Sequence, residues 1–163
     1  MKYARLNPTD IANGIGVRVS LFVSGCDRHC PGCHNEDTWD FNYGAWFKET
    51  TMHRILSRLD EDFIDGLTIL GGEPLHPNNI DTVREIVKRV REEYPEKTIW
   101  IYTGYTYEEL DTDILQMIDV LVDGAFIESM HDITLKFRGS SNQRIIDVPA
   151  TLAAGEIILW RET

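Results

Sequence analysis

Apolar and polar residues alternate along the stretch Gly16–Val23, and this period-two pattern is typical of a β-strand. Four of its apolar residues share one face: Val17, Val19, Leu21 and Val23. Other short apolar runs end at glycine or at a turn-forming pair, which is how buried strands end. We predict further strands over residues 67–70, 98–103, 120–122 and 157–160.

Between these strands, apolar residues recur at spacings of three and four, the pattern of an amphipathic helix. One such pattern begins at Thr50, and the clearest begins at Pro77 and ends at Pro95. Thr106 and Glu109 have the spacing of a capping box, which predicts another helix start. A weaker helical pattern covers 126–132, whereas residues 138–144 are polar and predict a loop.

Strands that alternate with helices indicate a mainly parallel sheet with right-handed crossovers. Four glycines each follow a predicted strand, so they should gather at the edge where parallel folds place their sites: Gly25, Gly71, Gly104 and Gly124. The strands are too few for a closed eight-stranded barrel. We therefore predict an α/β fold, an open partial (β/α) barrel with mainly parallel strands, in a single domain spanning residues 1–163.

Composition narrows the classes of partner and the compartment. The chain is 42% hydrophobic and 26% charged, as is usual for a soluble globular protein. A net charge of -11 argues against nucleic acid as a partner, because phosphate backbones require lysine and arginine. Neither a signal peptide at Met1–Asp10 nor an apolar run of membrane-spanning length is visible. We expect a cytoplasmic protein that does not bind a membrane.

All three cysteines lie within the stretch "SGCDRHCPGCHN": Cys26, Cys30 and Cys33. An odd number argues against a disulfide framework, and clustered thiols in a reducing compartment indicate a metal or redox site. Three thiols on one loop can face a common centre. A fully ligated [4Fe-4S] cluster uses four cysteines, so three would leave one iron open. A structural zinc site with His29 or His34 as fourth ligand, and chemically idle thiols, remain alternatives.

Two motifs carry a resemblance to the radical S-adenosylmethionine superfamily: Cys26-x3-Cys30-x2-Cys33 and Gly71-Gly72-Glu73-Pro74. Both come in the expected order and at predicted strand ends. The stretches "IWIYTGY", "VLVDGAF" and "RGSSNQRIIDV" extend the resemblance to the activating proteins of anaerobic (class III) ribonucleotide reductases. The similarity covers about residues 13–148.

This resemblance implies a reaction. The three cysteines would hold a [4Fe-4S] cluster whose open iron binds the amino and carboxylate groups of S-adenosylmethionine. One electron would cleave the sulfonium and give methionine and a 5'-deoxyadenosyl radical, which removes a hydrogen atom from a glycine near the reductase's C-terminus. The implied partners are the anaerobic ribonucleotide reductase and a flavodoxin or ferredoxin-type reductant.

The resemblance also implies the residues that bind S-adenosylmethionine. The turn formed by Gly71, Gly72 and Glu73 would hold the methionyl ammonium group, although a plain turn between strand and helix also explains two glycines. Many superfamily members place an aromatic residue just before the third cysteine, where this chain has Gly32. We therefore predict that His34 stacks on the adenine.

Two further residues are candidates for the cofactor site. Asp123 ends a buried apolar strand on the site face, where a carboxylate requires a partner. Ala125 stands where a related activase for pyruvate formate-lyase has lysine, and a turn-forming Asp-Gly pair is an equal alternative. Arg138 is a candidate for supplying a positive charge to the cofactor's carboxylate, with surface solvation as the alternative.

Three functions compete at this point. The leading one is activation of a glycyl-radical ribonucleotide reductase. A second is a small radical enzyme that acts on a free metabolite, but a chain this short has little protein to enclose one. A third, of another class, is a zinc-binding adaptor without catalytic activity, which metal analysis distinguishes.

Overall fold

The computed structural model describes residues 1–33 and 35–162, and within them a seven-stranded sheet is the central feature. The strands are β1 (Lys2–Asp10), β2 (Arg18–Val23), β3 (Ala45–Trp46), β4 (Gly66–Gly71), β5 (Thr98–Tyr102), β6 (Val120–Asp123) and β7 (Arg144–Asp147). The α-helices are α1 (Glu49–Leu59), α2 (Ile80–Glu93), α3 (Thr112–Leu115) and α4 (Val148–Ala154). None of these described helices is long and apolar enough to cross a membrane.

The predicted partial barrel of mainly parallel strands is wrong, because the sheet is mixed and open. Its spatial order is β3-β1-β2-β4-β5-β6-β7. Only the central β2, β4, β5 and β6 run parallel, whereas β1 and β3 on one side and β7 on the other pair antiparallel with their neighbours. The edges β3 and β7 lie at opposite ends and do not pair, so the sheet does not close.

Connection length explains why β1 pairs antiparallel with β2. A parallel pair needs a crossover of about a dozen or more residues, usually a helix. Residues 11–17 between β1 and β2 are too few for that crossover. In residues 124–143, between β6 and β7, the structure has a 3-10 turn at Glu128–Met130 and no α-helix. The chain thus turns back tightly between β1 and β2, and it returns through a long loop between β6 and β7.

The strongest sequence patterns are confirmed, and the weakest are not. The four central strands and helices α1 and α2 lie where their apolar patterns predicted them. The helical pattern at 126–132 reduces to the short 3-10 turn, and the capping box at Thr106 begins another 3-10 turn, Tyr107–Glu109. The strand predicted at 157–160 is wrong, since only an isolated bridge from Leu159 to Ile146 forms there.

The two faces of the sheet are covered differently. On one face, apolar strand residues such as Leu21, Ile69 and Ile101 join residues of all four helices in the main core. On the other face, the smaller cluster is formed around Trp100, and loop residues such as Phe137 pack against it. Because loops cover this second face, it keeps room for a cavity.

Arg18 is a buried cation on the second face. Its side chain is fully buried at the start of β2 and donates five hydrogen bonds of 2.8–3.0 Å. The acceptors are Thr68 Oγ1, Thr98 Oγ1 and the main-chain oxygens of Ile15, Leu67 and Thr98. Burial lowers the pKa of Arg18 to about 10, so the guanidinium stays charged at neutral pH. It joins β2, β4 and β5 near their N-terminal ends.

Replacing Arg18 by Met is therefore expected to destabilise the apoprotein by about 2–4 kcal/mol, because several buried oxygens lose their donor. Anaerobic urea denaturation followed by circular dichroism measures this change. The control is Arg54→Met, which removes the same group from an exposed position on α1. Equal stability of the two variants would contradict a structural role for Arg18.

Candidate functional site

The cysteine loop follows β2 directly and borders a cavity on the second face of the sheet. Cys26, Cys30 and Cys33 are half-buried free thiols, and all three line this cavity, whose volume is about 570 Å³. The loop is closed at its root, because Gly25 N donates to Thr38 O at 2.7 Å and the next amide donates to Trp39 O. The three thiols thus share one side of one cavity.

The donor set fits an iron–sulfur cluster by its chemistry. Three thiols at one cavity suit iron, which clusters bind through cysteine thiolates. Burial raises the pKa of Cys26, and the nearby Glu73 carboxylate raises it further. Among residues 1–33 and 35–162, no three His, Cys, Asp or Glu side chains converge as ligands of a single metal ion. The structure therefore brings the thiols to one cavity without arranging them around one centre.

His29 and His34 were the candidate fourth ligands of the alternative zinc site. The His29 ring stacks on Trp39, with 4.5 Å between ring centroids and an interplanar angle of 8°. Its backbone is left-handed, with a φ of 46°. His34, which was also predicted to stack on adenine, lies outside the described residues. In the described part of the chain, His29 therefore packs on an aromatic ring.

The turn at residues 71–74 lies against the backbone of the cysteine loop. Gly72 N donates to Val23 O at 2.9 Å, and Glu73 N donates to Gly25 O at 2.7 Å. A Cβ atom at Gly72 would lie 2.5 Å from Gly25 O and 2.8 Å from Thr38 O. Only glycine permits this approach, so packing against the cysteine loop already explains why this position has no side chain.

Glu73 links the ends of β4 and β5. Its buried carboxylate accepts hydrogen bonds from Thr103 Oγ1 at 2.7 Å, Gly104 N at 2.7 Å and Leu75 N at 3.0 Å. Arg28 Nε lies 3.9 Å from it. Burial raises the pKa of Glu73, while the hydrogen bonds and the arginine oppose that rise. The side chain also lines the cavity and fixes the turn at its rim.

Two residues that join the turn to the cysteine loop were not predicted from the sequence. The buried Asn79 donates from Nδ2 to Ser24 O at 3.1 Å and to Glu73 O at 3.0 Å. His76 Nε2 lies 2.6 Å from an Asp27 carboxylate oxygen. In the sequence, "HPNN" shows only a helix start, because the acceptors lie on a distant loop that the fold brings close.

Asp123 is held by a basic residue that the sequence did not reveal as its partner. Arg144 donates to its two oxygens at 3.1 and 2.6 Å, and Tyr107 N donates at 2.8 Å. The hydrogen bonds of Arg144 to Asp123 and to Glu108 raise the pKa of its guanidinium. Asp123 does not line the cavity described above. The ion pair and the Tyr107 amide therefore satisfy the buried carboxylate within the protein.

Arg138 does lie at the cavity, on the segment between β6 and β7. Its Nη1 donates to the main-chain oxygens of Gln143 at 2.6 Å and Ser141 at 3.2 Å. Among the described residues, none of its hydrogen bonds goes to a carboxylate. The guanidinium is thus anchored by the loop, and no carboxylate of residues 1–33 and 35–162 forms an ion pair with it.

Comparison with known protein families gives a match that covers most of the chain. The profile of the 4Fe-4S single cluster domain matches residues 12–146. That range includes the cysteine loop, the 71–74 turn and Arg138. It supports iron–sulfur chemistry over the zinc alternative.

Curated proteins from several organisms are similar over nearly their whole length. The chain is 45% identical over 150 residues to an anaerobic ribonucleoside-triphosphate reductase-activating protein of Haemophilus influenzae, covering 89% of this chain and 97% of the relative. It is 44% identical over 148 residues to the protein of the same name from Escherichia coli K12, covering 88% and 96%. For the counterpart in enterobacteria phage T4, identity is 40% over 146 residues, covering 89% and 93%.

Removing the Asn79 side chain tests the connection between the two loops. Asn79→Ala is expected to destabilise the apoprotein by about 1–3 kcal/mol, because two buried main-chain oxygens lose their donor. The same change should make bound iron easier to remove by a chelator. Urea denaturation and the rate of iron loss to bathophenanthroline measure the two effects. Asn78→Ala, at the exposed neighbouring position, is the control and should leave both unchanged.

Proposed function

The chain belongs to the family of anaerobic ribonucleoside-triphosphate reductase-activating proteins, and on that basis we propose that it generates a glycyl radical on such a reductase with S-adenosylmethionine as cosubstrate. The observation that carries this proposal is the shared cavity. Three free thiols on one loop and the 71–74 turn border it together. A cluster and its cosubstrate must bind next to each other, and this cavity has candidate residues for both.

Cys26, Cys30 and Cys33 would hold a [4Fe-4S] cluster and leave one iron without a protein ligand. The cluster, when bound and reduced, would supply the electron for cleavage of S-adenosylmethionine to methionine and a 5'-deoxyadenosyl radical, and a glycine of the reductase would give up a hydrogen atom to that radical. The residues of this chain orient the cosubstrate and exclude water from it. The residues that line the cavity carry out both roles.

The amino acid end of S-adenosylmethionine would lie between the 71–74 turn and Arg138. Gly71, Gly72 and Glu73 form a rim that is rigidly joined to the cysteine loop. Arg138 provides a cation whose hydrogen bonds in the described structure go to carbonyl groups, so its charge suits the cosubstrate's carboxylate. His34 remains the proposed adenine contact. Asp123 pairs with Arg144, and its contact with the cosubstrate stays a prediction.

The reductase would complete the enclosure of the cavity. The sheet is open, and residues 127–134 form an exposed segment beside the cavity, which they partly line. A 5'-deoxyadenosyl radical requires a site that positions one C–H bond and keeps water out. A protein substrate can supply the missing wall. The proposed reductant is a flavodoxin or ferredoxin-type protein in the cytoplasm, a compartment in which free thiols stay reduced.

The assignment of the cluster ligands is tested by replacing each cysteine with alanine. Each variant is expected to lose the [4Fe-4S] cluster and all S-adenosylmethionine cleavage, since no other thiol exists in the chain. Iron and sulfide analysis after anaerobic reconstitution measures the loss. His29→Asn, which tolerates the left-handed backbone and removes the imidazole, should retain full iron. Full iron in any cysteine variant, or zinc in place of iron, would contradict the assignment.

The reaction itself is tested by electron paramagnetic resonance. The reconstituted and reduced protein, mixed anaerobically with an anaerobic ribonucleoside-triphosphate reductase and S-adenosylmethionine, should give a stable glycyl doublet on the reductase. The protein without the reductase should cleave S-adenosylmethionine slowly. Consumption of a small metabolite in the absence of any glycyl doublet would instead identify an enzyme of metabolite chemistry.

A further inference from the structure

Three large apolar side chains are exposed within one short segment of the connection between β6 and β7. They belong to Ile127, Met130 and Ile133, whose exposed fractions are 41%, 40% and 87%. Every residue of 127–134 is exposed, so the whole segment lies at the surface. Single exposed apolar residues are common on soluble proteins, whereas several on one segment indicate a surface that binds another molecule.

Hydrogen bonds fix the conformation of this segment. Ser141 N donates to Met130 O at 2.9 Å, and Ile127 N donates to the hydroxyl of the buried Ser140 at 3.2 Å. An isolated β-bridge between His131 and Ser140 joins the same two parts of the connection. A segment whose backbone is already ordered loses little conformational entropy when it binds a partner, so its exposed side chains can contribute to affinity.

The segment borders both the cavity and the cysteine loop. Ile133 lines the cavity although most of its side chain is exposed. Ile127 lines a second pocket together with Pro31 of the cysteine loop. A Cβ atom at Gly32 would lie 3.2 Å from the Glu128 side chain, so the two loops also approach each other there. The exposed apolar side chains therefore extend from the cysteine loop to the mouth of the cavity.

A protein that closes the cavity has to contact this segment. Ile133 belongs both to the lining of the cavity and to the exposed surface, so a partner that excludes water from the cavity covers its side chain. In the proposed reaction, a glycine of the reductase must reach the cavity. The reductase therefore meets this protein where Ile133 lies.

Two other occupants of this surface fit the observations less well. A second copy of this chain would cover the mouth of the cavity and keep a protein substrate out. A flavodoxin or ferredoxin-type reductant delivers an electron in a transient encounter, and such encounters bury small interfaces. A protein substrate has to stay bound while S-adenosylmethionine is cleaved, and burial of apolar side chains favours that longer contact.

We propose that Ile127, Met130 and Ile133 form the surface on which the anaerobic ribonucleotide reductase docks. This inference rests on the proposed function and names the contact through which the same cavity receives its protein substrate. Burial of the three side chains contributes affinity. The ordered backbone beneath them fixes the position of the bound reductase relative to the cysteine loop.

The double variant Ile127→Ser with Met130→Ser tests this surface, because neither side chain lines the cavity. Its affinity for the intact reductase, measured by calorimetry on the reconstituted protein with S-adenosylmethionine and no reductant, should fall at least about tenfold. Its iron content and its slow cleavage of S-adenosylmethionine without the reductase should match those of the wild type. The melting temperature of the apoprotein should not change, because both side chains are exposed.

The matched control is the double variant Ile11→Ser with Leu152→Ser. These two apolar side chains are exposed by 75% and 38%, but Ile11 lies in the connection before β2 and Leu152 lies on α4. The control should bind the reductase like the wild type. A second, independent variant is Ile133→Ser, which should also weaken binding of the reductase.

Three results would overturn the inference. The first is an unchanged reductase affinity in the double variant Ile127→Ser with Met130→Ser and in Ile133→Ser. The second is slower reduction of the cluster by flavodoxin at unchanged reductase affinity, which would assign the surface to the reductant. The third is a loss of self-association at unchanged reductase affinity, measured by sedimentation, which would assign it to a second copy of this chain.

Failure of the proposed function looks different, because then the wild-type protein itself gives no glycyl doublet on the reductase. A wild type that forms the doublet, beside variants that bind the reductase equally well, overturns the docking surface alone.

Discussion

The contact between the 71–74 turn and the root of the cysteine loop is the constraint on which the site depends. Gly72 allows the turn's backbone to lie against Gly25 and Thr38 at distances that any side chain would prevent. Main-chain hydrogen bonds, the Asn79 amide and the Glu73 carboxylate then hold the two segments and the end of β5 together. A cysteine loop without regular secondary structure thus gains a fixed base, while its thiols stay free at the cavity.

The second face of the sheet has a polar base and an apolar wall. Arg18 is bound by oxygens of β4, β5 and the connection before β2, which replace the water that a guanidinium loses on burial. Its fixed charge and the phenol of Tyr102 lie on the face that loops cover, whereas the helices cover the other face with a continuous apolar core. The helices and the main core thus cover one face, while the cavity lies on the other.

The elements that depend on a local pattern of apolar residues were predicted from the sequence. The apolar residues of β2 that face the main core alternate along the strand, and those of α2 recur every three or four residues, so both elements were predictable from the sequence. The antiparallel strands β1 and β3 were not predicted, because β1 contains polar residues and Pro8, and β3 has only two residues. The expectation of a parallel barrel failed because β1 and β7 pair antiparallel with β2 and β6, and the described residues 124–143 form a loop where a crossover helix was expected. Asn79 and Asp123 bind residues that are distant in the sequence, so no local pattern predicts these partners.

Because β7 runs antiparallel to β6, it affects which residues border the cavity. It places Arg144 opposite Asp123 in the strand register, so the carboxylate that ends β6 is paired within the sheet and not offered to the cavity. It also leaves residues 124–143 as a long connection that brings Arg138 to the cavity and exposes residues 127–134 beside it. A crossover helix in the same position would have covered this side. The mixed sheet therefore leaves the cavity bordered by a loop, which is the kind of boundary against which a folded protein partner can dock and close the site.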